Sequence, residues 1–168
     1  LAGGCFAGTK GNTIILSLNR MNTIREVRAD GRIAIVEGGV ILSKLHDAAA
    51  EYGLIFPLFF GARGSAMIGG NLATNAGGSN VLRYGNTRDL VLGIEAVMPN
   101  GDIVDLMSEL HKDNSGYNLK HLLIGSEGTL GIITAAVVKL FPKPKAYATA
   151  MISIPDLTYA LPILNELN

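Results

Sequence analysis

The chain has 168 residues, and its 14 basic and 14 acidic side chains cancel to a formal charge of zero. A neutral chain has no electrostatic reason to bind nucleic acid or an anionic membrane. With 48 % hydrophobic and 17 % charged residues it can bury a core, which excludes a disordered segment. The single cysteine excludes an internal disulfide framework and a cysteine-built zinc site.

Glycine is the compositional anomaly, at 21 of 168 residues against a usual share of about 7 %. No three-residue repeat runs through the chain, and the glycines sit beside apolar residues rather than in serine runs. Collagen and flexible linker are therefore excluded. A folded domain remains, in which backbone must approach something closely.

In chain order, the β-branched run at residues 13–18 predicts a buried strand. Residues 24–28 and 33–37 predict two strands joined by a tight Asp30-Gly31 hairpin turn. Leu42, Leu45, His46, Ala49 and Tyr52 then share one helical face. This spacing predicts a helix over 43–52, capped by Ser43 and ended by Gly53.

Residues 54–88 show neither period, and seven glycines fall between positions 61 and 85. A strand over 91–98, an Asn100-Gly101 turn and a strand over 103–106 form a second hairpin. A short helix is expected over 118–122, a strand over 130–140 ended by Pro142 and Pro144, and a further strand over 148–154. Pro155-Asp156 opens an amphipathic segment carrying Leu157, Leu161, Leu164 and Leu167. Two hairpins without βαβ alternation predict an α+β fold.

The stretch Gly61-Ala62-Arg63-Gly64-Ser65-Ala66-Met67-Ile68-Gly69-Gly70-Asn71-Leu72-Ala73-Thr74-Asn75-Ala76-Gly77-Gly78 combines small residues with hydroxyl and amide side chains. Exposed backbone N–H groups there can point at a ligand. A ligand cradle is the favoured reading, and a turn-rich loop the plain alternative. Gly125-Ser126-Glu127-Gly128-Thr129-Leu130-Gly131-Ile132-Ile133-Thr134 has the same character. Glycines in and beside a strand weaken it, so either a β-bulge or a close ligand accounts for them. Neither a P-loop nor a strand–G-x-G-x-x-G–helix unit occurs.

These two stretches occur in order with Pro57-Leu58-Phe59-Phe60, Leu82-Arg83-Tyr84-Gly85 and Lys112-Asp113-Asn114-Ser115-Gly116-Tyr117-Asn118-Leu119-Lys120. Together they resemble the vanillyl-alcohol-oxidase (PCMH-type) FAD-binding domain, in its D-2-hydroxyacid dehydrogenase branch. The resemblance implies a mostly antiparallel sheet with flanking helices and FAD as the cofactor. It implies an FAD-binding domain over 1–146 and the start of a substrate (cap) domain over 147–168. Leu1-Ala2-Gly3-Gly4 matches the last part of the family's pyrophosphate loop, so the chain is expected to start just after the residues that grip the pyrophosphate.

By the same resemblance, Gly61, Ala62, Gly64, Ser65, Met67, Gly69, Gly70, Asn71, Thr74, Asn75, Ala76 and Gly77 line the FAD. Glu127, Gly128, Leu130, Gly131, Ile132 and Ile133 offer backbone atoms to the isoalloxazine and ribityl portions. The implied chemistry is hydride transfer from a 2-hydroxyacid α-carbon to flavin N5, with the substrate held by a cap domain and an unknown electron acceptor. No catalytic base and no metal ligand set is assigned in this chain. An alcohol or alkyl-glycerone phosphate substrate, or a non-catalytic binding module, are the alternatives. A homo-oligomer and a cytoplasmic location, or membrane association through a partner, complete the expectations.

His46, His111 and His121 are read as packing or surface residues, and Cys5 as a small core residue. No histidine or cysteine falls within 54–88, which carries the expectation of noncovalent flavin.

Overall fold

The computed structural model describes residues 11–167. The expectations for Leu1 to Gly4 and for Cys5 lie outside them. Strands β1 (Ile24–Arg28) and β2 (Ile33–Glu37) form the first hairpin, and β4 (Val91–Val97) and β5 (Ile103–Leu106) the second. A long central strand, β6 (Ile132–Lys139), joins them into one antiparallel sheet of order β1-β2-β6-β4-β5. A small second sheet pairs β3 (Leu54–Ile55) with β7 (Phe141–Pro142). The α+β fold class expected from the hairpins is the one observed.

The main core lies on one face of the large sheet. Ala34, Val36, Ile94, Ala96, Ala136 and Val138 meet Leu42, Leu45 and Ala49 of helix α1 (Leu42–Ala50) and Ile68 and Leu72 of α2 (Ile68–Ala73). Ile33, Leu92 and Val137 face the other way and pack with Ile35 and Met107. Burial on both faces explains why β6 runs apolar from Ala135 to Val138 rather than alternating. Short helices α3 (Val81–Tyr84) and α4 (Lys120–Leu123) lie in the connections, and α5 (Ala160–Leu167) is the last helix.

Several local expectations are corrected. Residues 13–18 form no strand; Ile14, Ile15 and Leu16 are exposed. Strand propensity supplies no ladder without a partner edge, and the described residues pair none with this run. The first hairpin turn is a four-residue loop, because Arg28 pairs with Ile33. The left-handed residue in it is Arg32 (φ 50), not Gly31, and the Arg32 carbonyl accepts from Leu140 N–H at 2.7 Å.

Helix α1 starts at Leu42 without a side-chain cap from Ser43. The Leu42 N–H instead donates to the Ala66 carbonyl at 2.9 Å, which does the cap's work. Tyr52 lies past the helix and is exposed, while Gly53 takes the left-handed φ of 66° expected after a helix end. Residues 148–154 form no strand. The segment 54–88 contains β3, a 3-10 turn (Gly61–Gly64), α2, α3 and the start of a second 3-10 turn (Thr87–Leu90). Beyond them, Asp156 accepts from Thr158 N–H at 2.9 Å and opens the turn that leads into α5.

Candidate flavin site

The site is built around α2. At the end of β2, Gly39 N–H donates to Met21 O and Gly38 N–H to Thr134 O, both at 2.7 Å. The next carbonyls serve the helix: Gly69 N–H donates to Gly38 O at 2.7 Å and Ile68 N–H to Val40 O at 2.9 Å. Two of the unpaired donors in the first turn of α2 are thus satisfied by the β2–α1 connection. A Cβ on Gly69 would lie 3.0 Å from Gly38 O, so this close approach by itself accounts for the glycine. Gly70, one position on, is exposed and faces open space.

At the other end of α2 the two glycine-rich stretches meet. Gly125 N–H donates to Leu72 O at 2.9 Å, and Glu127 N–H to Ala73 O at 2.8 Å. Asn75 (φ 46) and Glu127 (φ 52) are both left-handed, as are Gly125 and Gly128. The N–H groups of Asn75, Gly125 and Glu127 all turn inward to carbonyls of α2, so these left-handed residues serve to join the two stretches. Ala76 N–H donates to Asn71 O at 2.8 Å and closes the loop after the helix.

The structure divides the site residues expected from the sequence. Gly61, Gly64, Ser65, Gly70, Thr74, Gly77, Glu127, Gly128 and Leu130 are exposed. Ala62, Met67, Asn75, Ala76 and Ile132 are half-buried. Gly69, Asn71, Gly131 and Ile133 are buried, and the Ile133 side chain belongs to the core, leaving backbone as its means of reaching a ligand. The hydroxyls of Thr74 and Ser65 donate to Gly70 O and Ala62 O. Gly61 lines an open cleft of about 700 Å³ with Phe59, Arg63, Gly78 and Ser79. Gly78 itself packs against the Phe59 backbone.

FAD fits these segments on two grounds. Gly61, Gly64 and Gly70 leave open space where a side chain would project. Asn71 Nδ2 and Ser126 Oγ, one from each stretch, are buried without a hydrogen-bond partner among the described residues. Buried polar atoms are rarely left so in a finished site.

Arg88 is the participant that sequence reasoning missed. Its guanidinium donates to His121 O at 2.5 Å and to Ile124 O, and its backbone N–H donates to Asn75 Oδ1 at 2.9 Å. No motif marked it, since its partners are backbone carbonyls distant in sequence. The bulge weighed for the second stretch falls at Thr134, where the β4–β6 register shifts, rather than on the glycines. Thr134 Oγ1 donates to Glu95 Oε1 at 2.6 Å.

His46 is half-buried on α1, stacks on Phe59 at 4.3 Å and contacts Leu58 O through Nε2 at 3.0 Å. Burial pulls its pKa below the ordinary histidine value, against the Leu58 carbonyl, with Arg63 adding repulsion. Burial likewise lowers His121, helped by Lys120 and Arg88. No group of three metal-ligating side chains occurs among the described residues. No helix among them is long and apolar enough to cross a membrane.

A match to the FAD binding domain family covers residues 2–107. The chain belongs to that family. This FAD-binding domain is 44 % identical over 156 residues to D-2-hydroxyglutarate dehydrogenase of Xanthomonas citri pv. viticola, covering 93 % of the chain and 33 % of that protein. It is 44 % identical over 161 residues to D-lactate dehydrogenase of Archaeoglobus fulgidus, covering 96 % of the chain and 35 % of that protein. The mitochondrial D-2-hydroxyglutarate dehydrogenase of Bos taurus is 45 % identical over 148 residues, covering 88 % of the chain and 27 % of that protein. The chain thus spans about a third or less of these curated relatives. Among solved structures, an alkyldihydroxyacetonephosphate synthase superposes with a TM-score of 0.67 at 31 % identity, covering 76 % of the chain and 23 % of that structure. The PCMH-type fold expected from the resemblance is therefore the fold shared with a solved relative.

Proposed function

We propose that the chain is the flavin-binding portion of a dehydrogenase that oxidises D-2-hydroxyacids of the 2-hydroxyglutarate, lactate or glycolate type. The observation that carries this reading is the convergence of residues 72–77 and 125–128 at the end of α2, in a domain whose relatives bear those enzyme names. Bound there, FAD would accept a hydride from the substrate α-carbon.

In this reading Thr74, Asn75, Ala76 and Gly77 line the cofactor from one side. The N–H groups of the first three already donate to the Gly70, Leu72 and Asn71 carbonyls, so these residues shape the wall rather than donate to the ligand. Glu127, Gly128, Leu130, Gly131, Ile132 and Ile133 present backbone from the other. Gly61, Ala62, Gly64, Ser65, Met67, Gly70 and Asn71 extend the cradle toward the Phe59 cleft, and Gly69 lets α2 dock on Gly38. The flavin is held noncovalently, supported by the lack of histidine and cysteine in 54–88. Residues 1–146 act as the cofactor domain. Residues 147–168 begin a substrate domain, supported by the exposure of Leu157, Leu161 and Leu167.

The test is dye reduction by the complete gene product with D-2-hydroxyglutarate, D-lactate and glycolate. Turnover of at least one is expected; no reduction with any of them overturns the hydroxyacid reading. The likeness to the synthase structure favours a second reading, the same domain acting on an alkyl-glycerone phosphate. Turnover of that substrate alone would decide for it.

A further inference from the structure

We propose that Arg88 is a positioning residue for the flavin, locking the two glycine-rich stretches in one relative placement. The inference rests on the reading that those stretches cradle FAD.

Arg88 reaches both at once. Its guanidinium fork spans His121 O and Ile124 O at the C-terminal end of α4, immediately before Gly125. A helix C-terminus is where a cation is best placed. In the other direction, its backbone N–H donates to Asn75 Oδ1 at 2.9 Å and steadies a left-handed residue of the first stretch. The preceding residue reinforces this hold, since Thr87 N–H and Oγ1 donate to Ala76 O at 3.0 and 2.6 Å.

Two further features fit this role. Among the described residues no carboxylate forms an ion pair with Arg88, and the protein groups that its guanidinium engages are the two carbonyls. Gly125 leaves room for it: a Cβ there would sit 3.1 Å from Nη2. A lysine carries its donors on one ammonium at the end of a shorter stem, without the planar fork that spans both carbonyls, so it holds the pair less well. Displacing either stretch would deform the wall that lines the cofactor in this reading, although Arg88 itself need not touch it.

The experiment titrates FAD into the FAD-depleted complete protein, following flavin fluorescence and the visible spectrum, for wild type, Arg88→Gln and Arg88→Lys. Lys44→Gln, on the exposed side of α1, is the control. Circular dichroism and melting of the FAD-free forms are recorded alongside. A folded Arg88→Gln is expected to bind FAD about tenfold or more weakly. Its bound-flavin band should change shape, and Arg88→Lys should regain part of the affinity. Wild-type affinity and spectrum in folded Arg88→Gln would overturn the proposal. If that variant does not fold, wild-type affinity in Arg88→Lys overturns it, and weaker binding with unchanged FAD-free melting supports it. A wild-type protein that takes up no FAD overturns the flavin reading itself, and the positioning role with it.

Discussion

The backbone N–H of Glu127 donates to the carbonyl of Ala73 at 2.8 Å, and this bond joins two glycine-rich stretches far apart in sequence. The neighbouring bond from Gly125 N–H to Leu72 O makes the junction a pair. The last turn of α2 is therefore both core and scaffold. Leu72 is fully buried in the main cluster. Leu72→Ala should lower stability by about 2–5 kcal/mol, measured by urea denaturation. An unchanged midpoint would contradict the packing described for α2.

Adjacent glycines in α2 should respond oppositely to the same change. A methyl at Gly69 meets Gly38 O at 3.0 Å and Leu18 Cδ1 at 3.2 Å. Gly69→Ala should cost roughly 1–3 kcal/mol as an overpacked site. Gly70 has open space, and alanine is the better helix former by about 0.5–1 kcal/mol. Gly70→Ala should leave the FAD-free protein as stable or more so, yet weaken flavin binding if this face lines the cofactor. Denaturation midpoints with and without FAD separate the two effects.

The stability of the fold should also depend on His46. Its folded pKa lies below the unfolded value of 6.5, with burial as the main cause. Neutral His46 therefore contributes stability that is fully present above pH 6.5 and is lost as pH falls through the folded pKa. The charged groups facing it are Arg63, which opposes protonation, and Asp47, which favours it. His46→Gln should flatten the melting-temperature profile below pH 6.5, with His121 leaving a residual slope of the same sign. A variant profile that still parallels wild type over this range would contradict the assignment.

Noncovalent attachment has a simple readout. Acid precipitation of the FAD-loaded complete protein should release the flavin to the supernatant. Yellow colour retained in the washed pellet would show a covalent link.

The large sheet was legible because its strands carry their own signals. The Asn100-Gly101 turn set the second hairpin, and the doubly buried β6 wrote itself as an apolar run. The two cofactor stretches were legible as glycine clusters. Their meeting was not, because it depends on backbone bonds such as Gly125 to Leu72, which no side-chain pattern encodes. Helix α2 was hidden by its own Gly69-Gly70 pair, which lowers helix propensity so that the glycine at 69 can approach Gly38. Residues 13–18 show the converse: local strand propensity with no edge to satisfy it.

The most direct test of the whole account is equilibrium titration of FAD into the FAD-depleted complete protein. Saturable quenching of flavin fluorescence is expected, with a shifted and structured visible band on binding. It should be weakened in Gly70→Ala and in Arg88→Gln, and unchanged in Lys44→Gln. Flavin fluorescence and absorbance that stay those of free FAD at every protein concentration would contradict the claim that these glycine-rich stretches form a flavin cradle.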